Sequence, residues 1–171
     1  FGIETTILKV DKTGMINPTH LKDAIRENTG LISIMYANNE TGVIQPLSEL
    51  TNIAKNNGIP FHSDGVQTLG KIPVNVYETG VTMMSFSAHK FYGPKGVGAL
   101  FIKENTPLRS FIIGGGQERN LRAGTENVPG IAGMGMAAKM AKSELSGTET
   151  HLKNLAQLFK SSLKICVKDI I

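Results

Sequence analysis

The stretch SFSAHKFYGPK (85–95) places Lys90 just past an apolar run, with Ser87 and His89 beside it. A lysine on a cleft floor forms a Schiff base with an aldehyde once desolvation or neighbouring positive charge frees its amine. Two other apolar runs end on polar residues. LISIMYA (31–37) runs into NNETG (38–42), which contains Asn39, and IPFHS (59–63) runs into DGVQ (64–67), which contains Asp64 and Gln67. If the three runs are neighbouring strands, an amine, a carboxylate, amides and hydroxyls meet at one edge of a sheet.

Pyridoxal 5'-phosphate is the commonest aldehyde cofactor held by a lysine, and it needs a fixed set of partners. A carboxylate must keep the pyridine nitrogen protonated, and Asp64 is the candidate. Gln67 and Asn39 can meet the ring hydroxyl or the substrate. The phosphate takes hydroxyls, cationic groups and N–H groups at a helix start. Ser87 and His89 qualify, as does Thr125, read as the N-cap of a helix starting near residue 126. Each residue also has a plain reading, the aspartate as a turn or cap and the lysine as a solvated surface group.

Other residues carry less. His62 alternates with Phe61 along a strand and reads as a satisfied core or sheet-edge histidine, while His20 and His151 fall on helix surfaces. Cys166, in LKICVKDI, reads as a small buried hydrophobe. GPKGVG (93–98) lacks P-loop spacing, and GGGQER (114–119) opens no strand–helix unit of the dinucleotide-binding kind. Both read as turns, the first joining two strands. A nucleotide-binding α/β protein, suggested by the sheet and the glycines, fits that spacing poorly, since no glycine loop joins a strand to a helix in the required way. Arg119 and Arg122 are equally phosphate ligands or solvated loop residues, and GIAGMGMAA (130–138) is a helix-packing surface for close approach.

The elements that must position these residues alternate. TTILKV (5–10) reads as a strand and NPTHLKDAIREN (17–28) as a helix capped by Asn17 with Pro18 at its first position. LISIMYA reads as a strand buried on both faces. PLSELTNIAKNNG (46–58) is a second helix, and IPFHS, VTMMSFS (81–87) and VGALFIK (97–103) are three further strands. Two helices follow, near 126–145 and 149–165, broken by GTET (147–150). This order predicts an α/β fold with a mainly parallel sheet between helices, whose ligands bind beyond the carboxyl ends of the strands. Residues 1–145 form one domain, and 146–171 begin a second.

Composition narrows the class. The chain has 171 residues, 40% of them hydrophobic, and a net charge of +4 scattered along its length. That is enough for one core, with no basic block pointing to direct nucleic-acid binding. One cysteine excludes an internal disulfide framework and fits a reducing compartment such as the cytoplasm. No apolar run reaches the roughly 18–20 residues of a membrane span. Opening at Phe1 and ending inside the apolar stretch KICVKDII, the sequence reads as part of a longer protein.

Four segments in order resemble the NifS-like cysteine desulfurases within the class V aminotransferase family: ANNETGVIQP (37–46), HSDGVQTLGKIPV (62–74), MSFSAHKFYGPKGVGALFI (84–102) and GGGQERNLRAGTENVPGI (114–131). The resemblance implies the large domain of a fold type I pyridoxal phosphate enzyme. It implies that Lys90 carries the cofactor and shuttles the substrate's α-proton, that Asp64 pairs with the pyridine nitrogen, and that Gln67 meets the ring hydroxyl. Asn39 would lie near that oxygen and the substrate carboxylate, and Ser87 and His89 would hold the phosphate. Thr125 is similar to a threonine that reaches the neighbouring subunit's cofactor, which implies a homodimer. The implied reaction takes sulfur from L-cysteine onto an enzyme cysteine, leaving L-alanine, and passes it to an acceptor or scaffold protein for iron–sulfur clusters or tRNA thiolation. The family's sulfur-accepting cysteine belongs downstream of Ile171, and Cys166 does not match it. The family's ring-stacking histidine belongs upstream of Phe1. Another aminotransferase or lyase of the family, or a non-catalytic remnant, is the competing reading.

Overall fold

A computed structural model of the chain describes residues 2–167. Four strands form one sheet in the order β1 (Ile32–Met35), β2 (Phe61–Asp64), β3 (Met83–Ser87), β4 (Gly98–Ile102). The first three run parallel, and β4 returns antiparallel to β3. The expected α/β fold with a mainly parallel sheet is therefore present. GPKGVG serves as the β3–β4 connection, where Ala88 N–H donates to Val97 O.

Helices α1 (Pro18–Ala24) and α2 (Leu47–Asn56) cover one face of the sheet. Asn17 caps α1 through its side chain, which accepts from Thr19 N–H, and Pro18 opens it. The helix is shorter than the sequence suggests. Ile25 leaves with extended backbone, and Thr29 Oγ1 takes the Arg26 N–H at 2.8 Å, an alternative to the helical ladder. Apolar residues at helical spacing turn Leu47, Leu50 and Ala54 of α2 inward against Ile32, Ile34, Phe61 and Met84. Each fully buried leucine contributes about 1.5–3 kcal/mol.

The opposite face differs from expectation. Strand β1 alternates, with Ile32 and Ile34 buried and Ser33 exposed, so among the described residues it is covered on one face and not both. Period-2 alternation then puts Ser33, His62, Asp64, Ser85 and Ser87 on the face away from α1 and α2.

Two other expectations fail. TTILKV forms no strand of this sheet. Val10 alone makes an isolated antiparallel bridge to Ile16, and Ile7 is 86% exposed. Its β-branched residues favour extended backbone, but among the described residues no strand pairs with it. GTET breaks nothing, because after the short turn α4 (Gln117–Asn120) the helix α5 runs unbroken from Val128 to Cys166. A single interior glycine costs only about 1 kcal/mol relative to alanine. Around it, Thr150 Oγ1 donates to Ser146 O at 2.9 Å and Lys153 pairs with Glu149 one turn away. The end of the apolar stretch KICVKDII, residues 168–171, lies outside the described residues.

Two short turns were not foreseen. Val76–Thr79 forms α3, with Asn75 capping Tyr77 N–H and Gly80 leaving at φ +74°. Ala88–Phe91 forms a 3₁₀ turn that carries His89 and Lys90. The small residues of GIAGMGMAA do pack closely, but against this turn and its flanks. Ala137 meets Ala88 and Phe91 in a second buried cluster. Gly133 lies so near Pro94 that a Cβ there would stand 2.6 Å from the ring's Cγ.

The β3–β4 pair is similarly tight. A Cβ on Gly98 would stand 2.7 Å from the Phe86 carbonyl oxygen, a backbone atom that cannot swing away. Gly98→Ala is therefore expected to destabilise the protein by about 1–3 kcal/mol, read from denaturant unfolding. An unchanged midpoint would show that β4 can shift without loss.

Candidate functional site

Parallel pairing sets the site's geometry. Asp64 closes β2 in register with Met35 of β1 and Ser85 of β3, and neighbouring strands stand about 4.8 Å apart. The three strand ends thus share one edge, as the sequence suggests. Beyond Asp64 the chain turns sharply under Gly65, whose N–H donates to Ser85 O at 3.0 Å. A Cβ on Gly65 would meet Met84 Sδ and Phe86 Cε1, each at 2.9 Å, so only glycine lets the loop lie this close to β3. Thr68, fully buried, donates its hydroxyl to Gly65 O at 2.7 Å and locks the loop.

The Asp64 carboxylate has a structural duty: Oδ1 accepts from Val66 N–H at 2.9 Å. The plain turn reading is thus correct for one oxygen and leaves the other for a ligand. Gln67 is half-buried in the same loop, and its amide makes no hydrogen bond among the described residues.

Lys90 lies on the 3₁₀ turn directly after β3 and is exposed here rather than sunk in a cleft floor. Ser87 Oγ and His89 Nδ1 stand 2.9 Å apart at the start of that turn, so the two expected phosphate ligands are brought together. Asn39 sits exposed in the loop after β1. The loop is held by its neighbour, Asn38, whose Oδ1 accepts from Glu40 and Thr41 N–H at 2.9 Å each, leaving the Asn39 side chain outside the turn's own bonds.

Thr125 is not the cap of the following helix. Asn127 is, accepting from Gly130 N–H at 3.2 Å, with Pro129 in the first turn; Thr125 lies exposed just before it. Asparagine is at least as good an N-cap as threonine, and a proline two residues on marks the first turn. Arg119 and Arg122 are exposed in a loop whose residues Glu118, Arg119 and Asn120 all adopt positive φ. Cys166 is exposed at the end of α5 among the described residues, contrary to the reading of a buried hydrophobe.

His62 is the satisfied sheet histidine expected. Ser33 Oγ lies 2.8 Å from Nδ1 and Ser85 Oγ 3.3 Å from Nε2, a chain across three strands on the face of Asp64. Burial holds its imidazole below the ordinary 6.5, partly offset by the Asp64 carboxylate. One residue escaped the sequence reading altogether. Lys71 reaches from the loop after β2 and donates from Nζ to the Lys90 carbonyl oxygen at 3.1 Å. Burial, and then the Lys90 charge, hold its ammonium below the ordinary lysine range. No periodicity marks a loop-to-loop contact of this sort.

The donor set fits pyridoxal phosphate. It offers an amine for the aldehyde, a carboxylate with a spare oxygen for the ring nitrogen, and a hydroxyl–imidazole pair with a turn's N–H groups for the phosphate. Among the described residues no group of histidine, cysteine or carboxylate ligands could hold a metal ion.

The lowered His62 value carries a sign. Between that value and 6.5 the unfolded chain binds more protons at His62 than the folded one, so stability rises with pH there and is lost as pH falls below 6.5. His62→Gln should flatten this acid-side slope and cost about 0.5–1.5 kcal/mol at pH 8 through the serine contacts. Urea unfolding of the full-length protein between pH 5 and 8 measures both. An unaltered slope would mean that His62 titrates alike folded and unfolded.

Known proteins place this geometry. Residues 1–167 match the aminotransferase class-V family. The chain is 52% identical over 169 residues to the cysteine desulfurase IscS of Dictyoglomus turgidum, covering 99% of this chain and 43% of the relative. It is 46% identical to the mitochondrial cysteine desulfurase of Candida albicans, covering 95% of this chain and 34% of that protein. A solved NifS-like protein superposes with a TM-score of 0.91 at 45% identity, covering 95% of this chain and 45% of the other. The chain thus spans less than half the length of these relatives. On the family match, the sequence similarity and the shared architecture, the chain belongs to the aminotransferase class-V family of pyridoxal phosphate-dependent enzymes.

Proposed function

We propose that the protein carrying this chain is a cysteine desulfurase, releasing L-alanine from L-cysteine and passing the sulfur as a persulfide to an acceptor. The observation that supports this reading most is the convergence of Asp64, the Ser87–His89 pair and Lys90 on adjacent parallel strand ends. The cysteine desulfurases named above are similar over nearly the whole chain.

Pyridoxal phosphate, when bound, supplies an aldehyde for the lysine and an electron-accepting ring. Lys90 Nζ is the amine that holds it and the base that moves the α-proton of the substrate. Asp64, through the carboxylate oxygen not committed to Val66, keeps a proton on the ring nitrogen. Ser87 and His89 donate to the phosphate, and Gln67 and Asn39 orient the ring oxygen and the substrate carboxylate. Thr125, exposed ahead of α5, serves the site of a second copy of the chain in a homodimer. Residues 1–145 belong to the cofactor-binding domain, and 146–171 lead into a smaller one along the continuous helix. The sulfur goes to an acceptor or scaffold protein for iron–sulfur cluster assembly or tRNA thiolation. Among the described residues no helix is long and apolar enough to cross a membrane. A reducing compartment, the cytoplasm, suits the persulfide chemistry.

Borohydride reduction of the full-length protein with pyridoxal phosphate is expected to label Lys90. Lys90→Ala should lose the label and at least about 10³-fold of the alanine production from L-cysteine. Asp64→Asn should keep the label and lose about 10²-fold in rate. A label on another lysine, or alanine production indifferent to Lys90→Ala, would overturn the assignment.

A further inference from the structure

The backbone at Lys90 presents an acceptor that its own turn cannot satisfy. In the 3₁₀ turn Ala88–Phe91 the carbonyl of Lys90 would take its hydrogen bond from the N–H three or four residues on. The first of these, Gly93 N–H, is committed to Ala88 O at 2.9 Å. The second residue is Pro94, which has no N–H. Tyr92 turns the chain into left-handed backbone at φ 65°, also bonded to Ala88 O, so neither later donor returns to Lys90.

The group that reaches this carbonyl is the Lys71 ammonium, from 19 residues earlier, at 3.1 Å. Lys71 is itself fixed. Its N–H and that of Ile72 both donate to Thr68 O at 3.1 Å, and buried Thr68 is bound to Gly65 O through N–H and hydroxyl alike. Gly65 follows Asp64 directly. The side chain therefore spans two pieces of backbone that must keep their spacing: the loop bearing Asp64 and Gln67, and the turn bearing Ser87, His89 and Lys90.

We propose that Lys71 is a positioning residue, a charged brace from the Asp64 loop to the Lys90 carbonyl that holds the amine-bearing turn in place for the cofactor. The inference rests on the assignment of Lys90 as the cofactor lysine, although the brace itself, from the Lys71 side chain to the Lys90 carbonyl, does not involve the Lys90 amine. Burial and the nearby Lys90 charge both lower the Lys71 pKa, a cost to the ammonium that reflects how closely the side chain lies against this turn. A charged donor on a carbonyl makes a stronger bond than a neutral one, and removing it leaves the acceptor to water or to nothing.

Three variants of the full-length protein separate donor, charge and packing: Lys71→Gln keeps a donor without charge, Lys71→Glu has similar size but only acceptor oxygens, and Lys71→Met keeps the stem alone. Two readouts are taken. The first is amide hydrogen exchange of residues 89–93 in the cofactor-free protein. The second is the rate at which Lys90 captures pyridoxal phosphate, fixed by borohydride. In Lys71→Met and Lys71→Glu, exchange in the turn is expected to rise about tenfold and capture to slow about tenfold. Lys71→Gln should stay within about threefold of the parent. Should the Met variant fail to fold, the Gln–Glu comparison decides alone. Equal exchange in Gln and Glu, or a folded Met variant whose turn exchanges as the parent's does, overturns the brace. If the parent captures no cofactor at Lys90, the functional reading fails while the exchange data still decide whether Lys71 holds the turn.

Discussion

The site hangs on the parallel pairing of β2 with β3. In that register Asp64 stands opposite Ser85, and the chain leaves β3 two residues later at Ser87, on the same face. A slip of one residue would carry Asp64 or Ser87 to the face packed by α1 and α2, where Ile32, Ile34, Phe61 and Met84 are buried. The apolar face therefore fixes the polar one. Hydrophobic burial on one side of the sheet sets which side chains can meet on the other.

Glycine and small residues convert that register into a close fit. Gly65 lets the Asp64 loop settle on Met84 and Phe86, Gly98 lets β4 reach Phe86, and Gly133 admits Pro94 against α5. Each is a place where a methyl group would displace backbone or a core side chain. Together they press the 3₁₀ turn between the sheet and the first half of α5, where Ala88, Phe91 and Ala137 are buried. The turn is pinned by its backbone and by the buried Ala88 and Phe91, while Lys90 is exposed among the described residues.

Much of this was legible in the sequence, because apolar runs and the polar residues that end them are local signals. The strand ends, the closeness of Ser87 to His89 and the cap at Asn17 follow from neighbours a few residues apart, whereas the satisfied His62 follows from strand alternation although its serine partners lie 29 and 23 residues away. What failed depended on partners. TTILKV has strand propensity but pairs only at Val10, and β1 reads as doubly buried although only one face is covered. GTET resembles a break, yet one glycine does not end a helix supported on either side by helical neighbours. Thr125 reads as the cap, but Asn127 two residues on is the residue that caps α5, with Pro129 in the first turn. Lys71 carried no signal, since its role arises from a carbonyl 19 residues away whose own donors are spent or missing.

A crystal structure of the full-length protein soaked with pyridoxal phosphate would test most directly whether one sheet edge assembles the site. The account predicts continuous density from Lys90 Nζ to the cofactor's aldehyde carbon, with an Asp64 oxygen at about 2.7–2.9 Å from the ring nitrogen. Density joined to Lys90 with Asp64 turned away from the ring, or a cofactor seated elsewhere, would contradict it.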